Sequence, residues 1–314
     1  MASWRGFQDN VSAFGQRSED IVVSFIDDVN RKPPPPLLYH YTDHRGLRGI
    51  IESGTLRLTD LFCLNDPGEL QHGIDYALEI LRRRIKRDRL EVRIFRDKFV
   101  ATFLRDLRES AEFFVGCLSS TGDNLDQWRA YADNGRGYAL GFDGPKLVSN
   151  FDSGASGRSS FPIVYGPRRL RGLYSQIIDL LLPFISAPRG GNLNNDDIDD
   201  YMAELSATLA MNLITLSMLV KHRAYKHEHE YRLLQMFTHG STIDGLQYRP
   251  KGKVLVRYIH SDWKASSPEL LRSIVIGPAA DPYTARRFAT DCCDAFLSDP
   301  DKVDIWQSKL PYRA

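Results

Sequence analysis

Apolar positions along this 314-residue chain recur with two periods, and the switches between them mark the expected elements. Residues 1–30 set Val22, Val23, Phe25 and Ile26 among polar neighbours, which predicts a short amphipathic helix. The run "RKPPPP" ends it, because four prolines cannot continue a helix and favour an extended segment. Residues 1–36 therefore read as an N-terminal amphipathic arm with a Pro-rich linker, and 37–314 as a single domain. "LLYHYT" is a short aromatic and β-branched strand. Asp43 then caps a helix whose apolar positions Leu47, Ile50 and Ile51 recur at helical spacing, and Gly54 closes it. "TLRLT" alternates as a strand, and "LNDPGE" opens a helix with Asp66 as cap, Pro67 at the first position and Glu69 completing a capping box.

Further on, "FFVGCLS" reads as a buried strand. "DNLDQWRAYADNG" reads as a helix with Leu125, Trp128, Tyr131 and Ala132 on one face and Gly135 as its stop. "GYALGFD" is again a strand, and 176–222 is mainly helical around a Pro/Gly/Asn-rich loop at 187–195. "HEYRLLQMF", "KVLVRYI" and "SIVIGP" are strands, before a last helix over about 282–297. Strands and helices gather in separate runs, which predicts an α+β fold.

Composition narrows the function classes. Apolar content of 42%, charged content of 26% and net charge +1 are those of a soluble globular protein whose bulk charge points to neither nucleic acid nor membrane. The four cysteines form no C-x-x-C pair, which fits a reducing cytoplasm. The N-terminus lacks an apolar run of signal-peptide type, and the uncharged stretch from Leu205 to Val220 is short and polar enough to read as a buried helix.

Several residues could carry chemistry. On a strand, Glu228, Glu230 and Arg232 in "KHEHEYRLL" share one face. Two adjacent carboxylates raise each other's pKa, which suits acid/base work or stabilisation of a cationic transition state; the alternative is a solvated face where Arg232 pairs one glutamate. His40 shares a face with Thr42 and reads either as a donor at a ligand pocket or as a satisfied core histidine. In "LNDPGE" capping explains Asp66 and Glu69, leaving Asn65 without a structural reason. Trp128 and Tyr131 are either a core stripe or a stacking surface for a planar ligand. Nine cations between Arg82 and Lys98 form a solvated helix face or a set of phosphate contacts. His222, His227 and His229 cluster without aspartate or cysteine at ligand spacing, so no metal is expected. Neither G-x-G-x-x-G nor G-x-S-x-G occurs.

"LYHYT", "GLRGIIESGTL", "LNDPGE", "FVGCLSSTGDNLDQWRAYADNGRGYALGFD", "HEHEYRLL" and "IVIGP" occur in this order. Together they resemble a widespread bacterial family known only as a domain of unknown function, over about residues 37–278. That family in turn is similar to the ADP-ribosyltransferase fold, through an early strand bearing a histidine and a late strand bearing a glutamate two residues after another. The resemblance implies a split, mixed or antiparallel sheet with helical insertions, and an enzyme, a toxin or anti-phage defence effector, that cleaves the nicotinamide–ribose bond of NAD and transfers ADP-ribose to nucleic acid or protein. It implies that His40 holds a ribose hydroxyl, that Glu230 binds the 2′-hydroxyl of the nicotinamide ribose, and that Glu228 orients the acceptor. Tyr41, Thr42, Asn65, Trp128 and Tyr131 are the further residues expected around the dinucleotide, the nicotinamide-stacking ring being Trp128, Tyr131 or Tyr138. NAD hydrolysis, or a non-catalytic nucleotide- or nucleic-acid-binding module on the same fold, is the alternative.

Overall fold

The computed structural model describes residues 4–63, 68–84, 90–101, 111–186, 195–238, 240–265, 267 and 269–312. The strands are β1 (Leu37–Thr42), β2 (Thr55–Asp60), β3 (Ala111–Ser119), β4 (Tyr138–Asp143), β5 (Arg158–Pro162), β6 (Val164–Tyr165), β7 (Val220–Lys221), β8 (Glu230–Thr238), β9 (Gln247–Lys251), β10 (Val254–Asp262), β11 (Leu271–Ile276) and β12 (Asp304–Gln307). The helices are α1 (Trp4–Val29), α2 (His44–Ser53), α3 (Gly68–Arg84), α4 (Leu90–Ala101), α5 (Leu125–Tyr131), α6 (Gly144–Gly154), α7 (Pro167–Ile185), α8 (Asn195–Leu219) and α9 (Pro282–Phe296).

The main sheet is mixed, in an α+β arrangement: its pairings are antiparallel except β11 with β12. It divides at β3. Strand β8, backed by β5, runs along one edge of β3 for its full length, from Ala111↔Thr238 to Ser119↔Glu230. The wings β12-β11-β4-β1 and β9-β10-β2 therefore share the other edge. β1 meets β3 at Tyr39↔Ser119, and β2 meets it at Thr59↔Val115 and Asp60↔Phe114. Between these contacts the Cys117 carbonyl accepts a hydrogen bond from His40 Nδ1 at 3.3 Å, a side chain standing where a strand neighbour would be.

The period of two along β3 sends Phe113 and Val115 into one core and Phe114 and Leu118 into the other. The first core is the helical layer of α1, α3, α4, α7 and α8. The N-terminal helix runs 26 residues and packs along α8, burying Phe7, Phe14 and Phe25, each worth about 1.5–3 kcal/mol of apolar burial. Helix α8 is long and apolar enough by length and composition to cross a membrane, yet its side chains are largely enclosed by this layer. The second core lies under α2, α6 and α9.

Local signals in the sequence have physical counterparts. Asp43 accepts a hydrogen bond from Gly46 N at 2.7 Å at the start of α2, and Gly54 closes that helix in the left-handed conformation at φ 67°. The expected capping box at Asp66 lies outside the described residues, as does Asn65. The face expected for α5 is corrected: Leu125 is exposed, while Gln127 and Trp128 are buried. In the basic run, Arg83 pairs with Glu79 within α3, Arg84 with Asp179 of α7 and Lys98 with Asp199 of α8. The last two pairs tie helices of the layer together.

Candidate active site

A cavity of about 310 Å³ opens where β1 and β2 diverge from β3. His40 lines it from β1, Cys117 and Ser119 from β3, Tyr131 from the end of α5, and Glu228 and Glu230 from the entry to β8. Residues nearly two hundred positions apart thus converge on one wall.

The two glutamates reach the cavity by a route that differs from the expected one. They do not alternate along a strand. Glu228 ends a short 3₁₀ turn (Arg223–Glu228), His229 takes a left-handed conformation at φ 49°, ψ 45°, and Glu230 begins β8. Several bonds hold this corner. Ser119 Oγ donates to the Glu228 carbonyl at 2.7 Å, Ser120 N to the His229 carbonyl at 2.9 Å, and Glu230 N to Tyr165 Oη at 2.8 Å.

A buried lysine joins the carboxylates. Lys221 Nζ, on β7, donates to Glu228 Oε2 at 2.6 Å and to Glu230 Oε2 at 3.1 Å. Arg232 donates its Nε to Glu230 Oε1 at 2.7 Å and its Nη1 to the Met218 carbonyl at 2.9 Å. All four charged groups are less than a tenth exposed, so solvent screens them little. The expected mutual raising of the carboxyl pKa values is corrected for Glu230. Burial alone would raise it, but Arg232 and then Lys221 more than offset this and hold it at about 2. At neutral pH Glu230 is an anion inside the cavity.

Neighbouring groups are tuned the other way. The Cys117 thiol faces the cavity beside Glu230, and burial together with that carboxylate raises its pKa well above the ordinary 9.0. Burial lowers His40 from its ordinary 6.5, only partly opposed by the bond to Cys117 O. With Nδ1–H committed to that carbonyl, neutral His40 presents Nε2 as an acceptor. Tyr131 is 41% exposed, and burial followed by the charge of Glu228 raises its hydroxyl to about 12.

Of the other residues expected here, Tyr41 lines the cavity, but its hydroxyl donates to Thr121 O at 2.8 Å and accepts from Asn124 N at 3.1 Å, which anchors the loop before α5. Thr42 is not among the lining residues; its Oγ1 fills the space above Gly46 at the start of α2. Trp128 is fully buried, edge-on to Tyr41 with its indole N–H on Asp123 at 2.8 Å, so it is core and not a stacking platform. Tyr138 is buried too, bonded to Ala285 O. Tyr131 is the ring of the three that reaches the cavity.

Sequence reasoning missed Tyr39, Cys117, Lys221 and Tyr225 as lining residues. Lys221 had a usable signal, a single cation closing the uncharged run that ends "SMLVKH". Its ammonium also lies 4.6 Å from the centroid of the Tyr225 ring. Among the described residues, no group of three or more histidine, cysteine or acidic side chains is arranged to hold a metal ion.

Residues 127–233 match the model of a family described as a protein of unknown function (DUF2971). The match includes Tyr131, Lys221, Glu228, Glu230 and Arg232, while His40 and the β9–β10 wing fall outside it. No curated protein and no solved structure gives a significant match.

Proposed function

We propose that the cavity binds NAD and cleaves its nicotinamide–ribose bond, passing ADP-ribose to nucleic acid or protein in the cytoplasm. The observation that carries this reading is the convergence of His40, Tyr131 and an ionised Glu230 on one cavity at the split of the sheet. Departure of nicotinamide leaves positive charge on the ribose, as in glycoside cleavage. A carboxylate already ionised and fixed by buried partners stabilises that charge without reorganising during the reaction. In this reading Glu230 takes the ribose 2′-hydroxyl, His40 Nε2 accepts from a second hydroxyl, and Tyr131 stacks on the nicotinamide. The split of the sheet at β3 is the feature of the fold that favours an ADP-ribosyltransferase-like architecture.

The test is release of nicotinamide from NAD by the purified chain, with and without cell extract. Glu230→Gln is expected to lower release by at least about 100-fold, the scale of a lost transition-state charge contact. Release that survives this substitution would remove the role assigned to Glu230.

One observation favours a second reading, a binding module without turnover. A carboxylate offers about four lone-pair sites. Those of Glu230 already face Arg232 Nε, Arg232 Nη2, Lys221 and the Cys117 thiol. A ribose hydroxyl must displace one of them, and the thiol is the weakest donor. If NAD raises the melting temperature while no acceptor supports release, the binding module is the correct reading.

A further inference from the structure

One polar side chain in the cavity wall is buried without a task in the fold. Gln127, on α5, is 8% exposed and lines the cavity. Among the described residues, no group donates to its carboxamide or accepts from it. Its polar neighbours in the wall are engaged. Ser119 Oγ donates to the Glu228 carbonyl, the Tyr41 hydroxyl donates to Thr121 O and accepts from Asn124 N, and Lys221 donates to both glutamates. A carboxamide carries two donor hydrogens and two acceptor lone pairs, and withdrawing it from water without partners costs stability.

The helix that carries this amide is firmly placed. Gln127 and Tyr131 lie four residues apart on α5, hence on one face and about 6 Å apart along the axis, and both line the cavity. Between them Trp128 is fully buried, with its indole N–H on Asp123. Asp123 also accepts from Ser308 Oγ at 2.6 Å, and Asn124 caps the helix by accepting from Asp126 N at 3.0 Å. So pinned, α5 presents to the cavity an aromatic ring and, one turn before it, an amide without a partner. A flat ring stacked on Tyr131 meets a residue one turn away through its edge.

We propose that Gln127 reads the edge of a ring stacked on Tyr131, through paired hydrogen bonds to an amino group and the acceptor atom beside it. Glutamine matches such an edge in either order, because turning its carboxamide by half a turn exchanges donor and acceptor. The same bidentate contact joins glutamine to the amino group and ring nitrogen of adenine in the major groove of DNA. A dinucleotide of the NAD type carries such an edge twice, in the carboxamide of nicotinamide and in the amino edge of adenine, and the experiment separates the two. The inference rests on the reading of this cavity as an NAD site and names the residue that selects the ligand there, but it does not need bond cleavage.

The test is binding, by titration calorimetry, of NAD against two analogues that each lack one amino group: one with acetylpyridine in place of nicotinamide, one with purine in place of adenine. At least one analogue is expected to bind about tenfold or more weakly than NAD, the scale of leaving a buried acceptor unpaired. Gln127→Met, close in volume, should bind NAD and that analogue within about twofold of each other. The preference that this variant abolishes identifies the edge. If it is the acetylpyridine one, nicotinamide lies at Gln127; if it is the purine one, adenine does, and Tyr131 stacks on adenine. Because the carboxamide has no partner to lose, Gln127→Met should melt no more than about 3 °C below the wild type. A larger fall makes the amide a structural group and overturns the proposal. So does equal affinity for NAD and both analogues, a preference that survives in Gln127→Met, or no binding of NAD. Nicotinamide release is read separately. A chain that shows the preference but releases no nicotinamide keeps the contact and loses the reaction; a chain that releases nicotinamide from NAD while binding both analogues as well as NAD does the reverse.

Discussion

Replacing Arg232 with methionine tests how much of the site is held by its buried charges. Arg232 is 2% exposed and donates to both oxygens of Glu230, itself 7% exposed. The carboxyl of Glu230 stands at about 2, against an ordinary 4.5. A difference of that size corresponds to about 3 kcal/mol of preferential interaction with the charged form, supplied first by Arg232 and then by Lys221. Arg232→Met removes the larger contributor, frees the Met218 carbonyl and leaves a buried anion with one cationic partner, Lys221, and the weakly donating Cys117 thiol. The expected loss is about 3–5 kcal/mol at pH 7, measured by urea unfolding with the slope checked for constancy. Neutralising the orphaned charge should restore part of this, so Glu230→Gln/Arg232→Met should be more stable than the sum of the single losses predicts, by about 1 kcal/mol or more. The pH dependence follows from the sign of the shift. In the wild type the depressed carboxyl stabilises fully above about pH 4.5, and that contribution is lost as pH falls through about 2. In the variant, burial dominates and raises the same carboxyl, so its deficit should narrow as pH is lowered toward 4. A loss below about 1 kcal/mol, or strict additivity in the double variant, would falsify the claim that this network is an energetic unit.

Four further outcomes follow from the same geometry. Trp128→Ala should cost about 3–5 kcal/mol of stability, because the indole is fully buried, whereas Tyr131→Ala should leave the melting temperature nearly unchanged and weaken NAD binding; equal effects on both measures would undo the division between core and site. Cys117 faces the cavity yet should alkylate slowly at pH 7.5, with a rate that climbs steeply above pH 9, as followed by mass spectrometry; a rate typical of a free thiol would show that burial and the Glu230 carboxylate do not suppress the thiolate. His40 is lowered from 6.5, so the unfolded chain binds its proton more readily and the wild type should lose stability relative to His40→Gln as pH falls below 6.5; parallel curves would contradict the burial of the imidazole. His40→Ala should cost about 0.5–1.5 kcal/mol for the bond to Cys117 O, and collapse of the fold instead would make His40 a purely structural residue.

How much of this could be read from residues alone depended on the range of the forces involved. Asp43, Gly54 and the aromatic and β-branched run "LLYHYT" act within a few residues, and the elements they announce stand where expected. So does the buried strand read from "FFVGCLS", which lies in β3. The short strands β5 and β12 carry too few apolar residues to stand out, and they exist because β8 and β11 offer an edge. At the site, His40, Glu228 and Glu230 were visible as candidates because ionisable residues inside strand-like stretches are conspicuous, and Tyr131 because it is an aromatic on a helix face. Trp128 is core, one of the two readings its spacing allowed, while Leu125 was misplaced because helical spacing alone cannot say which of two neighbouring faces meets the core. The pKa of Glu230 was misjudged because its controlling cation, besides Arg232 two residues away, is Lys221 on a different strand. The split of the sheet depends on where β1 and β2 each stop pairing with β3, a property of register that no local pattern encodes.

The left-handed turn at His229 changes what "EHE" should mean to anyone searching genomes for kin of this chain. Two acids separated by one residue usually suggest strand alternation, and a search built on that idea would accept valine or isoleucine between them. Here the middle residue is a corner, and a β-branched side chain at φ 49° would be a backbone outlier. Relatives that keep the same constellation should carry asparagine, aspartate, glycine or histidine at that place. The filter is a backbone rule that can be applied to any alignment without knowing the reaction.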